Sequence, residues 1–298
     1  MQLTGPSIDP GRLLRGVSIL PPGIALLPAG VRPFQEWKPD QGNASAQFFR
    51  LESGYVLRFP GLADFRVSAD GLVIDCAPAI DAGDRWQALY LQQVQPLLRS
   101  LTGDPVYHGA GIRIGDVAIA VLGPSGRGKS TLAAAFASRG HAFLGDDCLQ
   151  VRLLPDSRAE LLPQQRSIRL WEDSLSALAT QGAVAVDVPG SRKRQLLATS
   201  GFEHCDQPTP LARVYLLGEP GAGEFKLSPL SAAQAAMAWT ANAFVLDIKA
   251  PAVIRRNIRA AARLAQAAPA CRLDYPRDYA ALDVVVGGII ADLAASAL

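Results

Sequence analysis

The sequence predicts an α/β fold with a small β-rich lobe ahead of it, and three observations support this. Short apolar runs separated by Gly, Pro and Asp turns occupy the first hundred of the 298 residues, a pattern typical of a strand meander. An amphipathic helix follows them. From Val106 onward strands alternate with helices, which indicates an α/β sheet. We therefore divide the chain near Gly103, with residues 1–103 as the lobe and 104–298 as the second domain.

Within the lobe, four runs have the length and turn boundaries of strands. They cover residues 46–51, 55–59, 65–68 and 72–76. After them, apolar residues recur at three- and four-residue steps from Trp86 to Leu101, which places them on one face of a helix. The lobe is thus predicted to be a meander that ends in an amphipathic helix.

The second domain opens with a predicted β-hairpin. Two apolar runs, 106–114 and 117–122, are joined by Gly115 and Asp116, a two-residue hairpin signal. The pairing that this turn imposes places His108 opposite Gly123, the residue that follows the second strand. Beyond it we expect a helix over 130–138.

Charge excludes some partners. The chain carries 29 basic and 27 acidic side chains, for a net charge of +2, with no block of five like charges. This gives no electrostatic footprint for a nucleic acid or an anionic membrane, so we expect neither as a partner. Any anion must be bound locally.

Cysteine spacing and hydropathy point to the cytoplasm. The four cysteines are far apart, which is atypical of a zinc site or a disulfide framework. Pro and Gly interrupt the apolar stretch at residues 17–27, unlike the core of a signal peptide. The apolar stretch 279–298 contains Asp283 and Asp292, so we interpret it as a buried or amphipathic helix and not as a membrane span.

Directly after the second strand, the chain matches the phosphate-loop pattern G-x-x-x-x-G-K-[ST] at every required position. Small residues let several backbone N–H groups point at one phosphate, and a following helix N-terminus favours negative charge. Lys129 is expected to reach the β- and γ-phosphates, and the Ser130 hydroxyl to coordinate Mg²⁺. The predicted nucleotide-binding residues are Gly123, Pro124, Ser125, Gly126, Arg127, Gly128, Lys129, Ser130 and Thr131.

Two adjacent acids, Asp146 and Asp147, follow the short apolar run 142–144, seventeen residues beyond Lys129. In a kinase, one such acid can help to hold the metal while the other accepts the proton of the attacking hydroxyl. An ATPase without an acceptor hydroxyl needs one acid alone. The alternative interpretation is a solvated turn before the next strand.

Two further features are candidates. The predicted hairpin register places His108 beside the phosphate loop, although it also shares a strand face with apolar residues, as a core histidine would. The densest basic cluster is Arg192, Lys193 and Arg194, after Pro189 and Gly190 in a predicted loop. These three side chains could contact phosphate or substrate, or could be solvated surface.

The segment from His108 through the phosphate loop to Asp147 resembles the catalytic domain of HPr kinase/phosphorylase, a bacterial P-loop serine kinase. Weaker likeness to stand-alone HPr-kinase-like proteins lies in 55–61, 64–65, 168–171 and 272–278. The resemblance implies that Asp146 is the acid/base residue, that Asp147 helps to bind Mg²⁺ and that His108 lies by the transferred phosphate. The glycine-rich signature that follows the acid pair in true HPr kinases is not recognisable here, and the first lobe does not look like their regulatory domain.

These features together predict an ATP- and Mg²⁺-dependent serine kinase. Its acceptor would be a peptide or small protein, and the stand-alone relatives include kinases that modify lasso-peptide precursors. The alternatives are a bifunctional HPr kinase/phosphorylase and, from another class, a nucleotide-dependent switch or scaffold without phosphotransfer. The alanine- and leucine-rich faces of the late helices could mediate self-association, or could simply be core.

Overall fold

The computed structural model describes residues 16–38, 45–102, 105–178, 184–187, 192–199 and 202–296. The chain divides into two compact units, Met1–Thr102 and Gly103–Leu298. Gly103, where we placed the boundary from sequence, lies outside the described residues.

The first unit contains a six-stranded sheet in the order β1-β6-β5-β4-β3-β2. Strands β2 to β6 form an antiparallel meander, and β1 runs parallel to β6. The strands are β1 (Val17–Ile19), β2 (Gln35–Trp37), β3 (Ala46–Leu51), β4 (Gly54–Phe59), β5 (Ala63–Ser68) and β6 (Ile74–Pro78). The meander expected over 46–76 is therefore confirmed.

One strand of this meander begins later than the sequence predicted. Leu72 and Val73, expected in the last strand, lie in the tight turn before it, where Ser68 N–H donates to the Val73 carbonyl at 3.0 Å. Asp70 Oδ1 accepts from the Leu72 N–H at 3.0 Å. These local hydrogen bonds compete with the ladder and leave both apolar side chains exposed.

The predicted amphipathic helix is present, with a change of pitch in its middle. It consists of α1 (Arg85–Leu89), a π-helical turn (Tyr90–Val94) and α2 (Gln95–Thr102). Tyr90 stacks on Phe65 of β5 with ring centroids 6.0 Å apart, so this helix covers one face of the sheet.

The second unit is built on a nine-stranded mixed sheet. Its order is β10-β8-β9-β16-β12-β11-β7, and β18 pairs with both β16 and β17. Strands β9, β16 and β18 are mutually parallel. The members are β7 (Val106–Tyr107), β8 (Gly109–Ile114), β9 (Val117–Leu122), β10 (Phe143–Gly145), β11 (Leu149–Leu153), β12 (Ala159–Leu162), β16 (Thr209–Leu217), β17 (Lys226–Pro229) and β18 (Ala270–Asp274).

Helices cover both faces of this sheet. They are α3 (Lys129–Ala137), α4 (Glu172–Leu178), α5 (Ala232–Ala241), α6 (Pro251–Ala267) and α7 (Leu282–Ala295). Ile119 and Val121 of β9 belong to the core formed with α3, α4 and α7, whereas Ala118 and Ala120 belong to the core formed with α5 and α6. Burial on both faces explains why β9 is a continuous apolar run. The unit is thus a three-layer α/β arrangement, as the alternating pattern predicted.

The hairpin register predicted around Gly115 is confirmed, because Ile114 pairs with Val117 and Ala110 with Val121. The first run, expected as one strand, is instead broken at His108. Residues before the break pair with β11, and residues after it pair with β9. His108 itself lies in a bend, with its N–H donated to the Asn242 carbonyl at 2.6 Å.

A small antiparallel sheet was not anticipated. It has the order β13-β15-β14, from β13 (Ser167–Leu170), β14 (Val184–Asp187) and β15 (Arg194–Leu197). A 3₁₀ turn (Tyr279–Ala281) precedes α7. Among the described residues, no helix has both the length and the apolar character needed to cross a membrane.

Candidate active site

A glycine-rich loop leads from β9 into α3, at the carboxyl end of a buried parallel strand. Gly126 and Gly128 have φ values of +77° and +92°, a region that side chains with a Cβ disfavour. A Cβ on Gly128 would also lie 3.2 Å from the Tyr275 hydroxyl. The sequence requirement for glycine therefore has a direct conformational cause here.

Lys129, the first residue of α3, lies inside this loop. Its residue exposure is 4%, and Nζ donates to the carbonyls of Gly123 at 2.7 Å and Pro124 at 2.9 Å. Burial lowers the pKa of Lys129 to about 8. A cation is thus held within the curve of the loop, where an anion would be neutralised.

Asp146 is buried beside the start of α3. Its Oδ2 accepts the Arg169 backbone N–H at 3.0 Å, while Oδ1 is buried without a hydrogen-bond partner. Burial, and then repulsion by Asp147, raise the pKa of Asp146 to about 7, against the opposing effect of hydrogen bonds from Arg169 and Ser130. Asp146 therefore contacts the Ser130 hydroxyl and retains one acceptor oxygen for a further ligand.

Asp147 has a different environment. It adopts a left-handed conformation with φ of +63° and lines a cavity of about 320 Å³. The Arg169 Nη1 lies 3.8 Å from its Oδ2. Of the two acids, Asp147 thus faces the space in which a reaction could occur, and Asp146 lies behind it.

His108, in the bend between β7 and β8, contacts the backbone of Asp147. Its Nδ1 lies 3.2 Å from the Asp147 carbonyl oxygen. Burial, together with nearby Lys129, lowers the pKa of His108, so the imidazole is neutral at pH 7, and Nδ1 carries the hydrogen because a carbonyl can only accept. This contact joins the His108 ring to the backbone of Asp147, which has the left-handed conformation.

The cavity collects most of the residues that the sequence singled out. Those that line it are His108, Ser125, Gly126, Arg127, Gly128, Lys129, Ser130, Thr131, Asp147 and Lys193. Gly123, Pro124 and Asp146 are not among the residues that line it, although the carbonyls of Gly123 and Pro124 accept hydrogen bonds from Lys129.

The three residues of the basic cluster at 192–194 lie in different environments. Lys193 lines the cavity, with Nζ 5.9 Å from the ring centre of Trp171, whereas Arg194 pairs with Asp187 at 2.9 Å on the small sheet. Arg192 is exposed and does not line the cavity. Pro189 and Gly190, on which the loop prediction rested, lie outside the described residues.

Other cavity residues were not singled out as site residues from sequence. Arg169 lies in β13 and Trp171 comes directly after it, and Trp171 is 48% exposed. Tyr275 and Arg277 lie just after β18, with the guanidinium 4.0 Å from the ring centre. An exposed tryptophan and an arginine beside an aromatic residue are weak sequence signals, because both are common on ordinary surfaces.

Mg²⁺ fits the oxygen atoms at this site. Within the described part of the chain, no three His, Cys, Asp or Glu side chains cluster as a metal site on their own. Mg²⁺ prefers one or two carboxylates, with phosphates and waters completing its shell, and Asp146 beside Ser130 supplies that minimal set. The buried, unpartnered Oδ1 of Asp146 is the specific observation in favour.

Comparison with known proteins gives a distant structural likeness and no match in sequence. No protein-family model and no curated protein matches this sequence. Among solved structures, the chain is similar to the HPr(Ser) kinase/phosphatase from Coxiella burnetii, with 11% identity and a TM-score of 0.33, over 63% of this chain and 94% of that one. A likeness this distant supports no functional conclusion, so any such conclusion must rest on the cavity residues.

Proposed function

We propose that this protein is a kinase that transfers the γ-phosphoryl group of ATP to a serine hydroxyl on a peptide or small protein. One observation carries the proposal: a glycine-rich loop that holds a buried lysine lies at a cavity lined by Asp147, with the buried Asp146 directly beside Asp147. A glycine turn without a ligand would not require a buried ammonium at its centre.

The loop would hold the triphosphate. Backbone N–H groups around Gly126 and Gly128 and the N-terminus of α3 supply positive electrostatic potential. Lys129 would exchange its bonds to the Gly123 and Pro124 carbonyls for phosphate oxygens. Phosphate binding would in turn favour the protonated form of Lys129.

The two acids would divide their roles by environment. Asp146 and Ser130 would hold Mg²⁺, which neutralises charge on the phosphates when bound. Asp147 lines the cavity and would accept the proton of the serine hydroxyl. The serine oxygen would then bond to the γ-phosphorus as the bond between that phosphorus and the β-phosphate oxygen breaks, which releases ADP. This is the reverse of the division that the resemblance implies, and position takes precedence because a base must reach its proton.

The acceptor would enter on the side of Lys193 and Trp171. A cation beside an exposed aromatic ring suits a peptide better than a small metabolite. The choice of serine and of a peptide, including a lasso-type precursor, rests on the resemblance, whereas the cytoplasmic location rests on cysteine spacing and hydropathy.

Incubation of the full chain with γ-labelled ATP, Mg²⁺ and a library of serine-containing peptides tests the proposal. We expect label on serine in at least one peptide, and none with Lys129→Met. Nucleotide binding without labelled peptide would instead support a nucleotide-dependent switch. Labelling of HPr at serine, followed by its phosphate-dependent reversal, would support an HPr kinase/phosphorylase.

A further inference from the structure

One part of the cavity wall has no role in the transfer step. It consists of Tyr275, Arg277 and Tyr279, from the loop after β18, with Asp173 and Ser174 from the start of α4. This group is called the aromatic wall below.

The sheet order separates Tyr275 of the aromatic wall from the acid pair. Strands lie in the order β10-β8-β9-β16, with β18 next to β16. The acid pair follows β10, the glycine-rich loop follows β9 and Tyr275 follows β18. Tyr275 and the acid pair therefore flank the loop on opposite sides. A nucleotide whose phosphates lie on the loop has its reacting end toward the acids and its other end toward β18.

Hydrogen bonds connect the aromatic wall to the phosphate-binding residues. Thr131, in the first turn of α3, has its Oγ1 3.2 Å from Ser174 Oγ, which lies 2.9 Å from the Tyr279 hydroxyl. This chain of hydroxyl groups begins one residue beyond Ser130. It offers donors and acceptors of the kind that bind ribose hydroxyl groups.

Tyr275 and Arg277 supply a flat surface beside it. Tyr275 is buried, and Arg277 is held over its ring by a hydrogen bond from Nη2 to the Gly218 carbonyl at 3.0 Å, at the end of β16. A guanidinium fixed in this way can stack against a planar heterocycle on its other face.

We infer that the aromatic wall binds the nucleoside part of the nucleotide, with the base against Arg277 and the ribose near Ser174 and Tyr279. This inference rests on the proposed function, because it assumes that the phosphates occupy the loop. It specifies the phosphoryl donor as a nucleoside triphosphate, in contrast to an inorganic polyphosphate.

Calorimetry with MgATP and with magnesium tripolyphosphate tests the inference. The wild-type chain should bind ATP at least about tenfold more tightly than tripolyphosphate, since stacking and ribose contacts each contribute on this scale. Arg277→Met and Tyr279→Ala should each weaken the binding of ATP about five- to tenfold and leave the binding of tripolyphosphate unchanged. Tyr279 is 38% exposed, so its replacement keeps the test available if Arg277→Met does not fold.

The control is Arg259→Met, an exposed arginine on α6, which should change neither affinity. Equal wild-type affinity for the two ligands would overturn the inference and leave the phosphate site intact. If the variants weakened the binding of both ligands equally, or of neither, the inference would also be overturned. Binding of neither ligand to the wild-type chain would contradict the proposed function itself.

Discussion

The backbone N–H of Gly123 donates a hydrogen bond to the side-chain oxygen of Asn242, with a nitrogen-to-oxygen distance of 3.3 Å. The carbonyl of Asn242 accepts from the His108 N–H, and its side-chain Nδ2 donates to the Ala238 carbonyl at 2.8 Å. One buried residue at the end of α5 thus joins the first glycine of the loop to the histidine that contacts Asp147.

Replacement of Asn242 by alanine should weaken nucleotide binding. The buried Gly123 N–H would lose its acceptor, at a cost of about 1–2 kcal/mol, and the loop would become less well ordered before the ligand arrives. We expect about tenfold weaker binding of MgATP by calorimetry.

Asn257 provides a matched control for this change. It is also buried, and its Nδ2 donates to the Val253 carbonyl four residues earlier in α6, at 2.9 Å. Asn257→Ala should cost similar stability but preserve nucleotide affinity. Equal effects of the two variants on affinity would show that Asn242 contributes to folding alone.

Asn242 also shows which features of the site cannot be predicted from the sequence. The glycine-rich loop, the acid pair and the register of β8 with β9 follow from local rules, because turn geometry and strand period act over a few residues. The contact of Asn242 with Gly123 joins residues 119 positions apart. No sequence pattern near Asn242 predicts this contact, because the packing of α5 against the sheet brings the two residues together.

The break at His108 has the same origin. The run 106–114 was predicted as one continuous strand, in which His108 shares a face with apolar residues. The chain leaves that path because the His108 N–H pairs with Asn242 and its ring pairs with Asp147, both of them distant in sequence. Tertiary hydrogen bonds here override a local pattern.

Single replacements of the two acids should separate their roles. Asp146→Asn should abolish the Mg²⁺-dependent gain in ATP affinity, because it removes the carboxylate beside Ser130. Asp147→Asn should leave that gain intact and lower the transfer rate by about two to four orders of magnitude, as loss of a general base does. Calorimetry with and without Mg²⁺, together with single-turnover transfer, measures both effects.

The opposite pattern would support the division implied by the resemblance. In that case Asp146→Asn would bind MgATP normally without transferring phosphate, and Asp147→Asn would lose the metal effect. Undiminished transfer in both variants would exclude the acid pair from the reaction.

Binding of MgATP should follow a bell-shaped pH profile. Burial raises the pKa of Asp146 to about 7, so its metal-binding carboxylate form is lost as the pH falls below that value. Burial lowers the pKa of Lys129 to about 8, so its phosphate-binding ammonium form is lost as the pH rises above that value. Affinity should therefore be greatest between these two pH values and fall by up to about tenfold per unit on either side.

The two limbs of this profile can be tested separately. Asp146→Asn should remove the acidic limb and keep the alkaline one. Tripolyphosphate without Mg²⁺ should show the alkaline limb alone. A profile that stays flat from about pH 6 to 9 would rule out titration of both groups in binding.

The last prediction concerns the attachment of α7 to the sheet. Asp292 of α7 accepts hydrogen bonds from Arg213 at 2.8 Å and from the Tyr215 hydroxyl at 2.7 Å, both on β16. Burial alone would raise the pKa of Asp292, but these donors outweigh it and hold the pKa below its usual value. The carboxylate therefore stabilises the fold above the pKa of the unfolded chain, and this contribution is lost as the pH falls.

Asp292→Asn should lower the free energy of unfolding by about 2 kcal/mol near neutral pH, because it leaves a partly buried arginine without its charged partner. Asp283→Asn is the control on the same helix, since Asp283 pairs with Arg139 at an exposed position and should contribute little. Urea denaturation measures both. The difference between wild type and Asp292→Asn should narrow as the pH falls from neutral to about pH 3, because the contribution of the carboxylate is lost progressively below the pKa of the unfolded chain. A difference that persists unchanged at that pH would show that packing, and not charge, fixes α7 to β16.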